Sequence, residues 1–249
     1  MSLDPVWLVL AGIGGGLCGS IAGLASLVSY PALLAVGLSP VTANVSNTVA
    51  LVFSSAGSMW GSRPELTGQR AHARRLAGIA LAGGITGAIL LLATPSSAFE
   101  RVVPWMIGLA SLAILLPRRV DRVAEFTARW HVWGFGVGLY LIAVYGGYFG
   151  AGAGVLLLAL LLFASPEPLP RSNALKNVLL GVTNAVAALA FVLFGPVRWR
   201  AVVPLAIGFL IGGRLGPVIV RRAPPGPLRL VIACAGLGLA VHLGLDAYN

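Results

Sequence analysis

The 249-residue chain is 58% hydrophobic and only 10% charged, with a mean hydropathy of +0.93, whereas soluble domains are about 25% charged. Water would not solvate such a surface, so the composition excludes a soluble domain and points to an all-α, polytopic transmembrane helical bundle. The net charge of +10 does not indicate a nucleic-acid partner, because the arginines stand between apolar runs, as in the positive-inside pattern of membrane proteins.

A bilayer core takes about 20 apolar residues per helix, and apolar elements fall near 6–36, 41–61, 72–94, 99–117, 131–164, 172–195, 201–220 and 228–246. These make about eight spans. The start, Met1-Ser2-Leu3-Asp4-Pro5, carries no basic residue, so the first element is read as a retained helix and not as a cleaved signal. The first and fifth elements are too long for one helix and hold the glycine-rich stretches from Gly14 to Gly23 and from Gly146 to Gly154. Each is expected to be one helix followed by a short broken or re-entrant piece. The turn near 62–75, the link near 117–130 and the turn near 221–229 are basic, whereas 95–101 is nearly neutral. Cys18 and Cys234 fall inside apolar stretches and are expected as buried thiols, forming neither a disulfide framework nor a metal site.

Sliding the chain past itself brings out an internal repeat. Gly19 and Gly23 meet Gly146 and Gly150 at an offset of 127, and a two-residue insertion then fits the turn Ser165-Pro166-Glu167-Pro168. Beyond it the offset holds at 129. Asn44 meets Asn173, Asn47 meets Lys176, Thr48 meets Asn177, Ser54 and Ser55 meet Thr183 and Asn184, and Gly83, Gly84 and Gly87 meet Gly212, Gly213 and Gly216. A further one-residue slip sets Gly108 on Gly236. The chain thus divides into a first transmembrane repeat over 1–117, a basic cytoplasmic linker over 118–130 and a second repeat over 131–249. Equivalent turns near 95–101 and 221–229 differ in charge, so the repeats are read as inverted, with Arg198 and Arg200 as the counter-evidence.

Unpaired polar groups are costly in hydrocarbon, which makes their placement informative. Asn44, Asn47 and Thr48 share one helix face, as do Asn173, Lys176 and Asn177, and each face continues through Ser54/Ser55 or Thr183/Asn184. Paired stripes facing the centre read as a substrate path; for any single residue the alternative is interhelical hydrogen bonding. The glycine breaks offer half-helix N-termini whose partial positive charge suits an anion, with Ser20, Ser26, Ser29, Tyr145 and Tyr148 as hydroxyl donors. The seven carboxylates, Asp4, Glu65, Glu100, Asp121, Glu125, Glu167 and Asp246, fall in turns or near helix ends, leaving no evident buried carboxylate for a cation or a proton relay. Lys176 and Arg214 are the candidate intramembrane charges, although either can snorkel to an interface. Gly83, Gly87, Gly212 and Gly216 read as close helix packing, and His242 as an interfacial residue. Gly14, Gly16 and Gly19 fit G-x-G-x-x-G with no strand before them, and neither H-E-x-x-H nor G-x-S-x-G occurs. Neither a cofactor nor an enzyme activity is expected.

Two stretches carry a family likeness. They are Gly14-Gly15-Gly16-Leu17-Cys18-Gly19-Ser20-Ile21-Ala22-Gly23, with the run through Tyr30-Pro31-Ala32-Leu33-Leu34 and Val41-Thr42-Ala43-Asn44, and Gly146-Gly147-Tyr148-Phe149-Gly150-Ala151-Gly152-Ala153-Gly154, with Gly195-Pro196-Val197-Arg198-Trp199 and Gly212-Gly213-Arg214-Leu215-Gly216. The chain resembles the TauE/SafE family of membrane transporters, the sulfite exporters, over nearly its whole length. The resemblance implies transport of anionic sulfur compounds, such as sulfite or organosulfonates, across a cytoplasmic membrane. One departure is the first break, Ala22-Gly23-Leu24-Ala25-Ser26-Leu27, where the family carries a denser glycine run.

The reading that follows is a multi-pass secondary transporter of the cytoplasmic membrane, moving a small anion by alternating access around a central site. The substrate-binding residues are Asn44, Asn47, Thr48, Ser20, Asn173, Lys176, Asn177 and Tyr148, with amides and hydroxyls donating to anionic oxygens and Lys176 supplying charge. The alternatives are a passive anion channel and a non-transport membrane scaffold or receptor subunit. The expected partners are the small anion and the lipid bilayer, with a homo-oligomer left open.

Overall fold

The structure, a computed structural model, describes residues 4–115, 128–164 and 167–220, together with positions 234, 237, 238, 240, 241, 244 and 245. Most of the expected linker and of the last apolar element, with Asp121, Glu125, Gly236, His242 and Asp246, lies outside the described residues. The described residues form helices and no strand: α1 (Pro5–Ala22), α2 (Ala25–Ala35), α3 (Pro40–Gly61), α4 (Arg63–Leu66), α5 (Arg70–Ala93), α6 (Ser96–Leu115), α7 (Ala128–Tyr148), α8 (Ala153–Ala164), α9 (Leu169–Phe194) and α10 (Trp199–Val220). The G-x-G-x-x-G glycines lie inside α1.

Both expected breaks occur, the first at the end of its glycine stretch and the second within it. Helix α1 starts on Asp4, whose carboxylate accepts the Val6 and Trp7 N–H groups at 2.9 and 3.3 Å ahead of Pro5, a sequence suited to a helix start. It ends where Gly23 takes a φ of +79°, with the Gly23 N–H bonded to Gly19 O and the Leu24 N–H to Cys18 O. A left-handed glycine closes the helix while satisfying two of its last carbonyls. Helix α7 ends at Tyr148, Gly150 follows with φ +76°, and the Tyr145 hydroxyl donates to Ala151 O at 2.6 Å across the break. The two breaks meet: a methyl on Gly23 would collide with the Gly154 backbone, and one on Gly154 with Gly23.

The helices are interleaved between the halves of the chain. Helix α10 lies along α1 and α3, whereas α5 lies along α7 and α9. Gly212 abuts Ile13 and Leu17, and its offset partner Gly83 abuts Tyr140 and Val144. Gly213 abuts Ser54 as Gly84 abuts Thr183. At these sites backbone packs on backbone, the mode by which helices associate where lipid removes most of the hydrophobic drive. Helices α3 and α9 run antiparallel: Gly181 faces Ser55 and Met59, Gly195 faces Val45, and the Arg198 N–H donates to Ser46 Oγ at 2.9 Å. At the opposite end Gln69 Nε2 donates to Arg171 O at 3.3 Å, and Arg171 Nη2 to Thr67 O at 3.3 Å.

The distribution of polarity is inverted relative to a soluble protein. Leu109, Leu141, Leu189 and Leu193 face outward while Asn44, Asn173, Lys176 and Asn177 are buried. Large exposed apolar surface of this kind requires an apolar surround. Four described helices, α1, α5, α9 and α10, are long and apolar enough to cross a membrane, and α2 and α8 are shorter apolar helices. Helix α3 has the length, 22 residues, but Ser, Thr and Asn along it lower its hydropathy. Cys18 is buried as expected. Cys234 instead lies exposed on the outside of the chain, because an apolar run predicts burial without saying whether lipid or protein does the burying.

Candidate functional site

A small cavity lies where the two breaks meet α3 and α9. It measures about 40 Å³ and is lined by Ser26, Ser54, Ser55, Ser58, Asn177 and Asn184, with Gly19, Gly23, Gly146 and Gly150 on the broken segments. Since a water needs about 10–15 Å³ by this measure, the cavity has room for a few water-sized atoms. The first residues of α2, Ala25 and Ser26, and of α8, Ala153 and Gly154, also line it. Two helix N-termini, each the positive end of its helix dipole, therefore border the cavity. No Asp or Glu stands among its described lining residues.

Of the eight expected site residues, Asn177 lines this cavity and the other seven do not. Lys176, fully buried, donates from Nζ to Asn173 Oδ1 at 2.8 Å, to Gly19 O at 3.1 Å and to Ser20 O at 3.4 Å. Asn173 Nδ2 donates to Ser20 O at 2.9 Å, and Asn177 Nδ2 reaches the same carbonyl at 3.5 Å. The lysine and two amides thus converge on the C-terminal end of α1, where the dipole end is negative and Gly19 O is already held by the Gly23 N–H. Asn44 Nδ2 makes the corresponding bond to α7, donating to Tyr148 O at 2.9 Å. The amide and ammonium donors expected for an anion here donate to backbone carbonyls. A helix that stops inside a bilayer must have its last carbonyls satisfied by neighbours.

Ser29 Oγ donates to Asn47 Oδ1 at 2.6 Å, and Asn47 Nδ2 donates to Ser26 Oγ at 3.2 Å, so Asn47 acts on the cavity by fixing Ser26. Thr48 Oγ1 donates to Asn44 O on its own helix at 3.0 Å, and Ser20 Oγ to Leu17 O at 3.2 Å. Tyr148 is half-buried, its ring 5.8 Å from Phe99, and it contributes its carbonyl. Arg214 is exposed and lies 4.1 Å over the Trp60 ring, away from the cavity lining. Asn44 Oδ1 and the Tyr30 hydroxyl are buried with no hydrogen-bond partner among the described residues. Among the polar lining residues, Ser26 is the one read from sequence as a hydroxyl donor of the first break, Ser54, Ser55 and Asn184 are read there as continuations of the stripes, and Ser58 is the one not read from sequence. Ser58 continues the α3 stripe one turn beyond Ser54, which is the signal that could have found it.

A helical bundle with polar side chains inside, apolar ones outside, and two helices broken beside a polar cavity has the organisation of a membrane transport protein. Residues 8–243 match the Sulfite exporter TauE/SafE family, and the chain belongs to this family of membrane transporters. It is 23% identical over 238 residues to the probable membrane transporter protein YfcA of Escherichia coli (strain K12), covering 94% of this chain and 87% of that protein. It is 24% identical over 252 residues to the probable membrane transporter protein ORF9 of Sinorhizobium sp, covering 96% and 92%. A probable membrane transporter protein of Haemophilus influenzae is 25% identical over 229 residues, covering 91% of this chain and 89% of its own. No solved structure gives a significant match.

Proposed function

We propose that this protein is a secondary transporter carrying a small anion, a sulfur-containing oxyanion or an organosulfonate, across the cytoplasmic membrane by alternating access. The observation that carries the reading is the cavity itself, bordered by hydroxyls, amides and the first turns of α2 and α8, with no carboxylate in its described lining. Such a lining offers hydrogen-bond donors to an anion, and an oxyanion can replace its hydration shell there. Lys176 adds a positive charge one layer behind Asn177. The sulfur chemistry rests on the family's description.

In this reading the halves are inverted repeats. The antiparallel course of α3 and α9 and the matched glycine contacts of Gly83/Gly212 and Gly84/Gly213 support it. The crossings among the described residues are the four long apolar helices with α3, α6 and α7. The basic 62–75 turn faces the cytoplasm. Alternating access is a rocking of the α1/α3/α10 group against the α5/α7/α9 group, about the smooth backbone contact between Gly23 and Gly154.

The test is reconstitution of the purified protein in liposomes, with uptake of radiolabelled sulfite and of a small sulfonate by the native chain, Lys176→Ala, Asn44→Ala and Asn184→Ala. Saturable, gradient-coupled uptake that the substitutions reduce, with folding intact, supports the reading. Flux that rises linearly with concentration identifies a channel instead, and no uptake of either compound removes the substrate assignment.

A further inference from the structure

The most basic face of the described chain is distinct from the central cavity. Where α4 and the first turn of α5 meet α9, a groove of about 910 Å³ is lined by Arg63, Arg70 and Arg74 together with Leu66, Ala73 and Val178. The three arginines are exposed. The walls are tied together below them: Gln69 Nε2 donates to Glu65 O at 2.8 Å and to Arg171 O at 3.3 Å, and Arg171 Nη2 donates to Thr67 O at 3.3 Å. Two carboxylates stand nearby, Glu65 on α4 and Glu167, which pairs with Arg171 at 3.1 Å. Four guanidinium groups against two carboxylates leave an excess of positive charge.

Size narrows the ligand class. The groove has more than twenty times the volume of the central cavity, so it is not shaped to a small oxyanion. It falls within the range of about 300–1,000 Å³ that holds ligands of tens of atoms. It opens at the end of the bundle, beside Trp60, over whose ring Arg63 lies at 5.7 Å and Arg214 at 4.1 Å. Tryptophan and arginine at a helix end mark the headgroup level of a bilayer. The lining is accordingly mixed, combining guanidinium groups with aliphatic side chains.

We propose that this groove binds an anionic phospholipid of the adjoining leaflet. Arg63, Arg70 and Arg74 hold the phosphodiester oxygens through charge-assisted hydrogen bonds, and Leu66, Ala73 and Val178 pack against the glycerol and the first acyl carbons. The lipid would clip the start of α5 to α9, across the seam already bridged by Gln69 and Arg171. The proposal does not depend on what the central cavity carries.

The experiment uses the full-length protein in neutral detergent, melted with added phosphatidylglycerol, phosphatidylcholine or inorganic phosphate, beside the exposed double variant Arg70→Gln/Arg74→Gln and, as a control outside the groove lining, Arg75→Gln. Phosphatidylglycerol alone should raise the melting temperature, by about 3–6 °C at saturation. The double variant should lose most of that rise, and Arg75→Gln should keep it. Native mass spectrometry of the unaltered protein should show phosphatidylglycerol retained over phosphatidylcholine at equal concentration. Equal effects of the two lipids, or an unchanged rise in the double variant, would overturn the proposal. An equal rise with inorganic phosphate would assign the groove to a free anion and overturn the lipid reading.

Discussion

Asn44 and Asn173 each donate a side-chain N–H, at 2.9 Å, to a backbone carbonyl at the C-terminal end of a broken helix from the other half of the chain, Asn44 to Tyr148 on α7 and Asn173 to Ser20 on α1. Each half therefore finishes a helix that the other half leaves open. In water these carbonyls would be solvated at little cost, but within a bilayer an unmet carbonyl is expensive. That cost explains why two amides and a lysine are buried so near the centre.

The two asparagines are not equivalent, because Asn173 also accepts from Lys176 Nζ. Asn173→Ala should destabilise the protein by about 2–4 kcal/mol and Asn44→Ala by about 1–2, the difference being the hydrogen bond to the buried ammonium. Thermal melting in detergent gives the ranking. A larger loss at Asn44 would contradict the capping account.

Lys176→Met removes the cation from the negative end of α1 while keeping much of the side-chain volume. The expected loss is about 1.5–3 kcal/mol. Lys176→Gln should recover part of it, since an amide can still donate to the Gly19 or Ser20 carbonyl. If methionine melts like the native lysine, the carbonyls are satisfied by other groups.

Glycine substitutions should separate by position. At Gly23 a methyl meets both a left-handed backbone and the Gly154 chain, so Gly23→Ala should cost about 3 kcal/mol or more. Gly37→Ala, with φ +88° and open space around it, should cost about 1–2 kcal/mol from strain alone. Gly78→Ala, inside α5 and facing open space, should stabilise by about 0.5–1 kcal/mol. Yields of monodisperse protein and melting temperatures would show this order; a tolerated Gly23→Ala would mean that the two breaks do not touch.

Asn184 lines the cavity and is absent from the helix-end contacts described above, so its substitution should separate transport from folding. Asn184→Ala should weaken half-saturation for the transported anion about tenfold, the worth of one hydrogen bond to a charged ligand, and shift the melting temperature by less than about 2 °C. Uptake kinetics in proteoliposomes measure the first and melting the second. Unaltered half-saturation would move the substrate contact away from this cavity.

Much of the fold was legible in the sequence for simple reasons. Composition dictates the solvent, and the solvent dictates helices, since a chain in hydrocarbon must satisfy its own backbone. The excess length of two apolar runs and their glycines pointed to a break in each, and the structure places these at Gly23 and at 149–152. Helical periodicity put Asn44 with Asn47 and Asn173 with Lys176 on shared faces, all of them buried. Periodicity names a face, however, and neither the helix opposite it nor the depth at which that helix stops. Only the tertiary structure decided that α5 and α10 change places between the halves, that the first turn of each stripe is spent on the carbonyl ends of α1 and α7, and that the cavity opens further along, at Ser54, Ser58 and Asn184. The physical reason is that a polar side chain inside a membrane protein bonds whatever unsatisfied group lies nearest in space, and for these helices that group lies more than 100 residues away in the chain.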